Sequence, residues 1–167
     1  MVSRKLGILA GGGVLPQLLV EACRTKGRPV FVLAFEGHTN MDTTKGVDHA
    51  WVRLGAVGKA LTCLRDAGAE DLVLAGPVRR PSLMDLRPDA TALSYFAKAS
   101  GKAMGDDSLL RGVIRMLEEG EGFCVLGVED VLGGITAPEG TLGARFPDAA
   151  ADRDIGRGVS VVCALGA

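Results

Sequence analysis

A chain of 167 residues that is 47% hydrophobic and 23% charged is long enough to bury a core and too apolar to be disordered. Nineteen Lys and Arg against 20 Asp and Glu leave a formal charge of -1. That balance excludes the broad basic footprint of a nucleic-acid binder, so any anion site must be local.

The four cysteines, Cys23, Cys63, Cys124 and Cys163, lie in apolar stretches without a C-x-x-C pair. They read as reduced thiols of a cytosolic protein. No stretch reaches the roughly 20 apolar residues of a membrane-spanning helix, and Gly11 to Gly13 interrupt the first apolar run before it could serve as a signal sequence. A soluble protein is expected.

In chain order, Leu6 to Ala10 is a continuous apolar run stopped by three glycines, and Val14 to Lys26 carries apolar residues at helical spacing. This is strand, tight turn, helix. Gly27 closes the helix, and Pro29 to Phe35 supplies a second buried strand. The rhythm repeats with a strand at Ala50 to Leu54, a helix from about Val57 to Ala67, and a strand at Leu72 to Ala75. Alternating buried strands and helices predict a three-layer, Rossmann-like α/β domain with a mostly parallel sheet.

Pro77 to Pro88 breaks this rhythm with three prolines and three arginines in twelve residues, the composition of a functional loop. Helices are expected at about Thr91 to Ser100 and Ser108 to Glu119, and a strand at Phe123 to Leu126. From Gly133 to Gly158, Gly and Pro punctuate short segments as in a linker, and Val159 to Leu165 reads as a new strand. The expected division is a nucleotide-binding domain over residues 1–132, then a linker and the beginning of a second α/β domain over 133–167.

Gly11, Gly12 and Gly13 lack a Cβ and so let backbone N–H groups approach a phosphate at the start of a helix. A dinucleotide fingerprint would need a small residue where Pro16 stands, although Glu36 sits where a ribose-binding acid would. Gly58-Lys59 is followed by Ala60 and therefore lacks the metal-binding hydroxyl of a P-loop. The alternative for the glycines is a tight turn that binds nothing.

Arg79, Arg80 and Arg87 could clamp a diphosphate from a loop at the carboxyl edge of the sheet; the alternative is a solvated basic loop. Asp106 and Asp107 could hold a hard cation, with Lys98, Lys102 and Arg111 available for phosphate, or one of them simply caps a helix. His38 and His49 have no acid or nucleophile at a telling spacing and read as surface or core residues. Glu139, Asp148, Asp152 and Asp154 read as polar linker residues.

The ordered set LGILAGGGVLP, GK at Gly58, LAGPVRRPSL, LRPD, GDDSLLR, GFCVLGVEDVL, APEGTLG and DIGRG resembles the LpxI family, the UDP-2,3-diacylglucosamine pyrophosphatases of lipid A biosynthesis. The resemblance runs from residue 6 to about 158. It implies Mg²⁺-dependent hydrolysis of UDP-2,3-diacylglucosamine to UMP and 2,3-diacylglucosamine 1-phosphate (lipid X) by a protein peripheral to the inner face of the inner membrane. By motif, Gly11, Gly12, Gly13, Val14, Arg79 and Arg80 would contact nucleotide and phosphates, with Asp107 and Arg111 as further binding residues. Family members continue beyond this chain's last residue and carry their principal catalytic acid there, so this chain is expected to be incomplete for catalysis.

Two other readings stand beside this one: a non-catalytic nucleotide-binding module and an NAD-dependent oxidoreductase domain. Binding of UDP without NAD separates them. An exposed sheet edge would also favour association between copies.

Overall fold

The computed structural model describes residues 3–79, 86–99, 106–134, 140 and 143–166. It divides into two compact units, Met1–Ile135 and Thr136–Ala167.

The first unit is built on five parallel strands: β1 (Leu6–Ala10), β2 (Val30–Phe35), β3 (His49–Val52), β4 (Asp71–Ala75) and β5 (Cys124–Leu126). Their order across the sheet is β3-β2-β1-β4-β5. Parallel neighbours need crossover connections: α1 (Leu15–Thr25) joins β1 to β2, α2 (Val57–Asp66) joins β3 to β4, α3 (Ala90–Ala99) and α4 (Asp106–Arg115) lie between β4 and β5, and α5 (Val128–Leu132) follows β5. A 3-10 turn, Met41–Thr44, precedes β3, and a π turn, Met116–Gly120, extends α4.

The period-2 geometry of the strands distributes their side chains between two cores. Leu6, Ile8, Ala10, Val32, Ala34, Val73 and Ala75 face a cluster completed by Leu19, Val20 and Cys23 of α1 and Val131 of α5. Phe31, Leu33 and Leu72 face the other cluster, with Leu61 and Leu64 of α2 and Leu117 of the π turn. Both faces of the sheet are covered, which is why the central strands read as unbroken apolar runs.

At the amino edge of the sheet the nearly buried Asp71 carboxylate accepts from Arg28 at 2.6 Å and pairs with Arg4 at 3.2 Å. The carboxyl edge is left for chemistry. Because β2 and β5 lie on opposite sides of the β1–β4 pair, the connections leaving β1 and β4 diverge, which makes the carboxyl ends of these two strands the topological switch point where open α/β sheets bind ligands in a crevice.

The second unit corrects one sequence expectation. Val159 to Leu165 is not a strand; it lies within an 18-residue helix, α6 (Ala149–Gly166). Its start is fixed by Asp148, whose Oδ1 accepts from the N–H groups of Ala150 and Ala151 at 3.0 and 2.8 Å, the geometry of a helix N-cap. The run Ala149 to Ala151 has high helix propensity, and Ile155, Val159 and Val162 repeat at i, i+4, i+7. That spacing and the cap outweigh the strand preference of the β-branched valines.

Candidate functional site

Three loops meet at the carboxyl edge of the sheet. The loop after β1 is the glycine turn, the loop after β2 holds Glu36 to Asn40, and the loop after β4 begins at Gly76 and carries Arg79. Their packing explains the glycines. The N–H of Gly11 donates to the Ala75 carbonyl and that of Gly12 to the Pro77 carbonyl, both at 2.8 Å.

A Cβ on Gly11 would stand 2.5 Å from the Gly76 carbonyl oxygen and 2.7 Å from that of Pro77. Gly76, at φ +86°, faces the Gly12 carbonyl so closely that a Cβ there would collide with it. Backbone therefore packs on backbone, which only glycine permits. The first two N–H groups of the turn are thus engaged with the protein's own backbone.

What remains is the start of α1. Among the described residues, the N–H groups of Gly13 and Val14 have no backbone acceptor, and Val14, the N-cap residue, supplies no side-chain cap. The second glycine-bearing helix start behaves differently. Asp89 accepts from the Gly58 N–H at 2.8 Å through Oδ2 and from the Ala92 N–H at 2.8 Å through Oδ1, so one carboxylate caps α2 and α3 together. At Gly58-Lys59 an internal anion stands where a phosphate would; at α1, among the described residues, none does. An uncapped helix start presents unpaired N–H groups and the positive end of the helix dipole.

The loop after β2 closes the third side. Thr39, almost fully buried, donates through Oγ1 to the Ala10 carbonyl and accepts from the Phe35 N–H. Asn40 Nδ2 donates to the Gly13 carbonyl at 3.2 Å. His38 Nδ1 accepts the Arg79 N–H at 3.3 Å. Sequence reasoning passes over His38 because its partner lies 41 positions away. Glu36 is exposed just past the end of β2.

Of the predicted site residues, the structure brings Gly11, Gly12, Gly13, Val14 and Arg79 to this crevice. Arg80 lies outside the described residues. Arg111 is exposed on α4 and engaged in an interaction of its own; Asp107 is the second residue of the same helix, one turn earlier, and its side chain lies outside the described set, as does that of Asp106. Arg87 is exposed with a left-handed backbone, φ +39°. The Leu86 carbonyl lies against Gly55, and the Asp89 N–H donates to the Gly55 carbonyl at 3.0 Å. Among the described residues no three His, Cys, Asp or Glu side chains converge to hold a metal ion, and no helix is long and apolar enough to cross a membrane.

A second concavity, about 320 Å³, lies between α1 and the 3-10 turn. Its charges are already paired: Arg24 with Glu21 and the Lys45 and Gly46 carbonyls, Lys45 with Asp42. It offers no unpaired charge to a ligand.

Residues 5–135 match the family model for the LpxI N-terminal domain. The chain belongs to the LpxI family. Its match to the UDP-2,3-diacylglucosamine pyrophosphatase LpxI of Caulobacter vibrioides is 36% identical over 166 residues, which is 98% of this chain and 58% of that protein. The LpxI chain thus spans somewhat more than half the length of that relative. Among solved structures, the UDP-glucose 4-epimerase of Thermus thermophilus, in complex with NAD, aligns with a TM-score of 0.50 at 11% identity, over 74% of this chain and 54% of the epimerase. That likeness shows the Rossmann-like α/β fold of this LpxI domain and nothing of its ligand.

Proposed function

We propose that this chain is the nucleotide-binding part of an enzyme that hydrolyses the pyrophosphate of UDP-2,3-diacylglucosamine, giving UMP and lipid X, and that the UDP moiety lies in the crevice between β1 and β4. The observation that carries the placement is the contrast between helix starts: α2 and α3 are capped by Asp89, whereas α1 begins uncapped beside the loop of Arg79. Membership of the LpxI family and the activity named for the Caulobacter relative supply the substrate class.

The chemistry fits the residues. A pyrophosphate is a polyanion that repels an incoming water, so it must be neutralised before attack at phosphorus. In this reading the Gly13 and Val14 N–H groups receive a phosphate oxygen along the helix dipole, and the Arg79 and Arg80 guanidiniums form bidentate bonds to the remaining oxygens. Asp107 and Arg111 belong to the same reading as further substrate contacts. Mg²⁺ would add charge neutralisation at the diphosphate; among the described residues no cluster of carboxylates stands ready to hold it. The acid that orients the water belongs, in this reading, to sequence beyond residue 167. A diacylated substrate makes work at the inner face of the inner membrane part of the proposal.

Calorimetric titration of the chain with UDP, UMP and NAD tests the binding claim. UDP binding that falls about tenfold or more in Arg79→Ala, the scale of a lost charged hydrogen bond, supports it. NAD binding without UDP binding overturns it in favour of the oxidoreductase reading. Release of UMP from UDP-2,3-diacylglucosamine by the full-length protein, lost on the same substitution, tests the catalytic claim.

A further inference from the structure

We infer that His38 is a positioning residue of the crevice: its Nδ1, acting as acceptor, ties Arg79 to the loop after β2 and so holds the arginine loop beside the glycine turn. The inference rests on the reading of that crevice as the nucleotide site. Its physical core is that Arg79's N–H finds its acceptor on a side chain, 3.3 Å away, rather than on the sheet ladder.

The loop that carries His38 is itself fixed. The His38 N–H donates to the Phe35 carbonyl at 3.1 Å, and the Thr39 N–H donates to the same oxygen at 3.0 Å. Thr39 Oγ1 then joins this loop to Ala10, and Asn40 joins it to Gly13. A Cβ on Gly12 would stand 3.1 Å from the His38 carbonyl oxygen, so the backbones of the two loops are already in near contact. The imidazole therefore reaches Arg79 from a rigid base, and its acceptor nitrogen is the variable part of the tie.

An imidazole nitrogen that accepts a hydrogen bond can be replaced in that role by the carbonyl oxygen of a shorter amide side chain, but not by a methyl group.

The test compares wild type, His38→Asn and His38→Ala in the full chain, reading amide hydrogen exchange at Arg79 by NMR with the Gly12 amide as an internal reference. Asparagine carries a carbonyl oxygen near the place of Nδ1 and does not titrate. Arg79 exchange should rise roughly threefold to tenfold in His38→Ala, the equivalent of one ordinary hydrogen bond, and return to the wild-type value in His38→Asn. Equal protection in wild type and His38→Ala, or protection in His38→Asn that stays as low as in His38→Ala, overturns the inference. UDP titration of the same variants is read separately: affinity lost in His38→Ala and restored in His38→Asn supports the role at the site. Absence of UDP binding in wild type counts against the nucleotide reading, and the exchange data still decide whether His38 holds Arg79.

Discussion

Gly76 and Gly12 lie backbone to backbone, with no room for a side chain on Gly76 in front of the Gly12 carbonyl. They are 64 positions apart in sequence, and each terminates the strand-and-turn unit that borders the crevice. The glycines therefore join two loops and let the helix start beside them remain open.

Substitution at this junction should cost far more than substitution at an ordinary glycine. Gly76→Ala forces a side chain into φ +86° and into the Gly12 carbonyl. A loss of about 3 kcal/mol or more is expected. Gly68, at φ +69° with nothing within 4 Å, bears only the conformational cost, so Gly68→Ala should lose about 1 kcal/mol. Urea denaturation of both variants checks the difference; equal losses would show that the two loops do not constrain each other.

Asp89 accepts from the first turns of two helices at once. Asp89→Ala removes both caps and should destabilise by about 1–3 kcal/mol. Asp89→Asn keeps one acceptor oxygen and should recover part of that loss. If the LRPD segment served only a ligand, Asp89→Ala would leave the unfolding midpoint unchanged.

The strands and the first two helices are legible in the sequence because their signals are local. The runs Leu6–Ala10, Val30–Phe35 and Asp71–Ala75 are buried on both faces, and the apolar positions of α1 and α2 follow the helical period. What cannot be read there depends on pairs distant in sequence. The Gly11 N–H reads as free because its acceptor, Ala75, is 64 positions away, and nothing local marks Asp89 as a double cap because Gly58 is 31 positions away. At α6 the local signals conflict: Val159, Val161 and Val162 favour a strand, and the Asp148 cap favours a helix.

Arg28 and Asp71 form a pair at 2.6 Å whose side chains are 17% and 9% exposed. Removing one partner of such a pair leaves a desolvated charge. Arg28→Ala should cost about 2–3 kcal/mol, below the full range for buried pairs because Arg4 still reaches Asp71 at 3.2 Å. Arg4→Ala, which removes a half-exposed partner, should cost less than about 1 kcal/mol. The reverse ranking in thermal denaturation would place the weight of the network on Arg4.

Cys23 lies in the core between α1 and the sheet, and burial pushes its thiol above the ordinary value of 9.0, against the smaller opposing influence of Arg28 and Lys26. The thiolate is the reactive form, so Cys23 should be inert in the folded protein, whereas the exposed Cys163 should react at once with a disulfide reagent. Cys63 and Cys124, partly exposed, should fall between them. The same shift has a stability consequence with a definite sign. Above the ordinary thiol value the unfolded chain loses this proton while the folded chain keeps it, so the folded state binds more protons and stability falls as pH rises. Below that value the contribution is complete and constant. Cys23→Ala should therefore flatten the decline in stability above pH 9.0, at the cost of a small cavity that lowers stability equally at every pH. An unchanged slope in the variant would assign the alkaline loss to other groups.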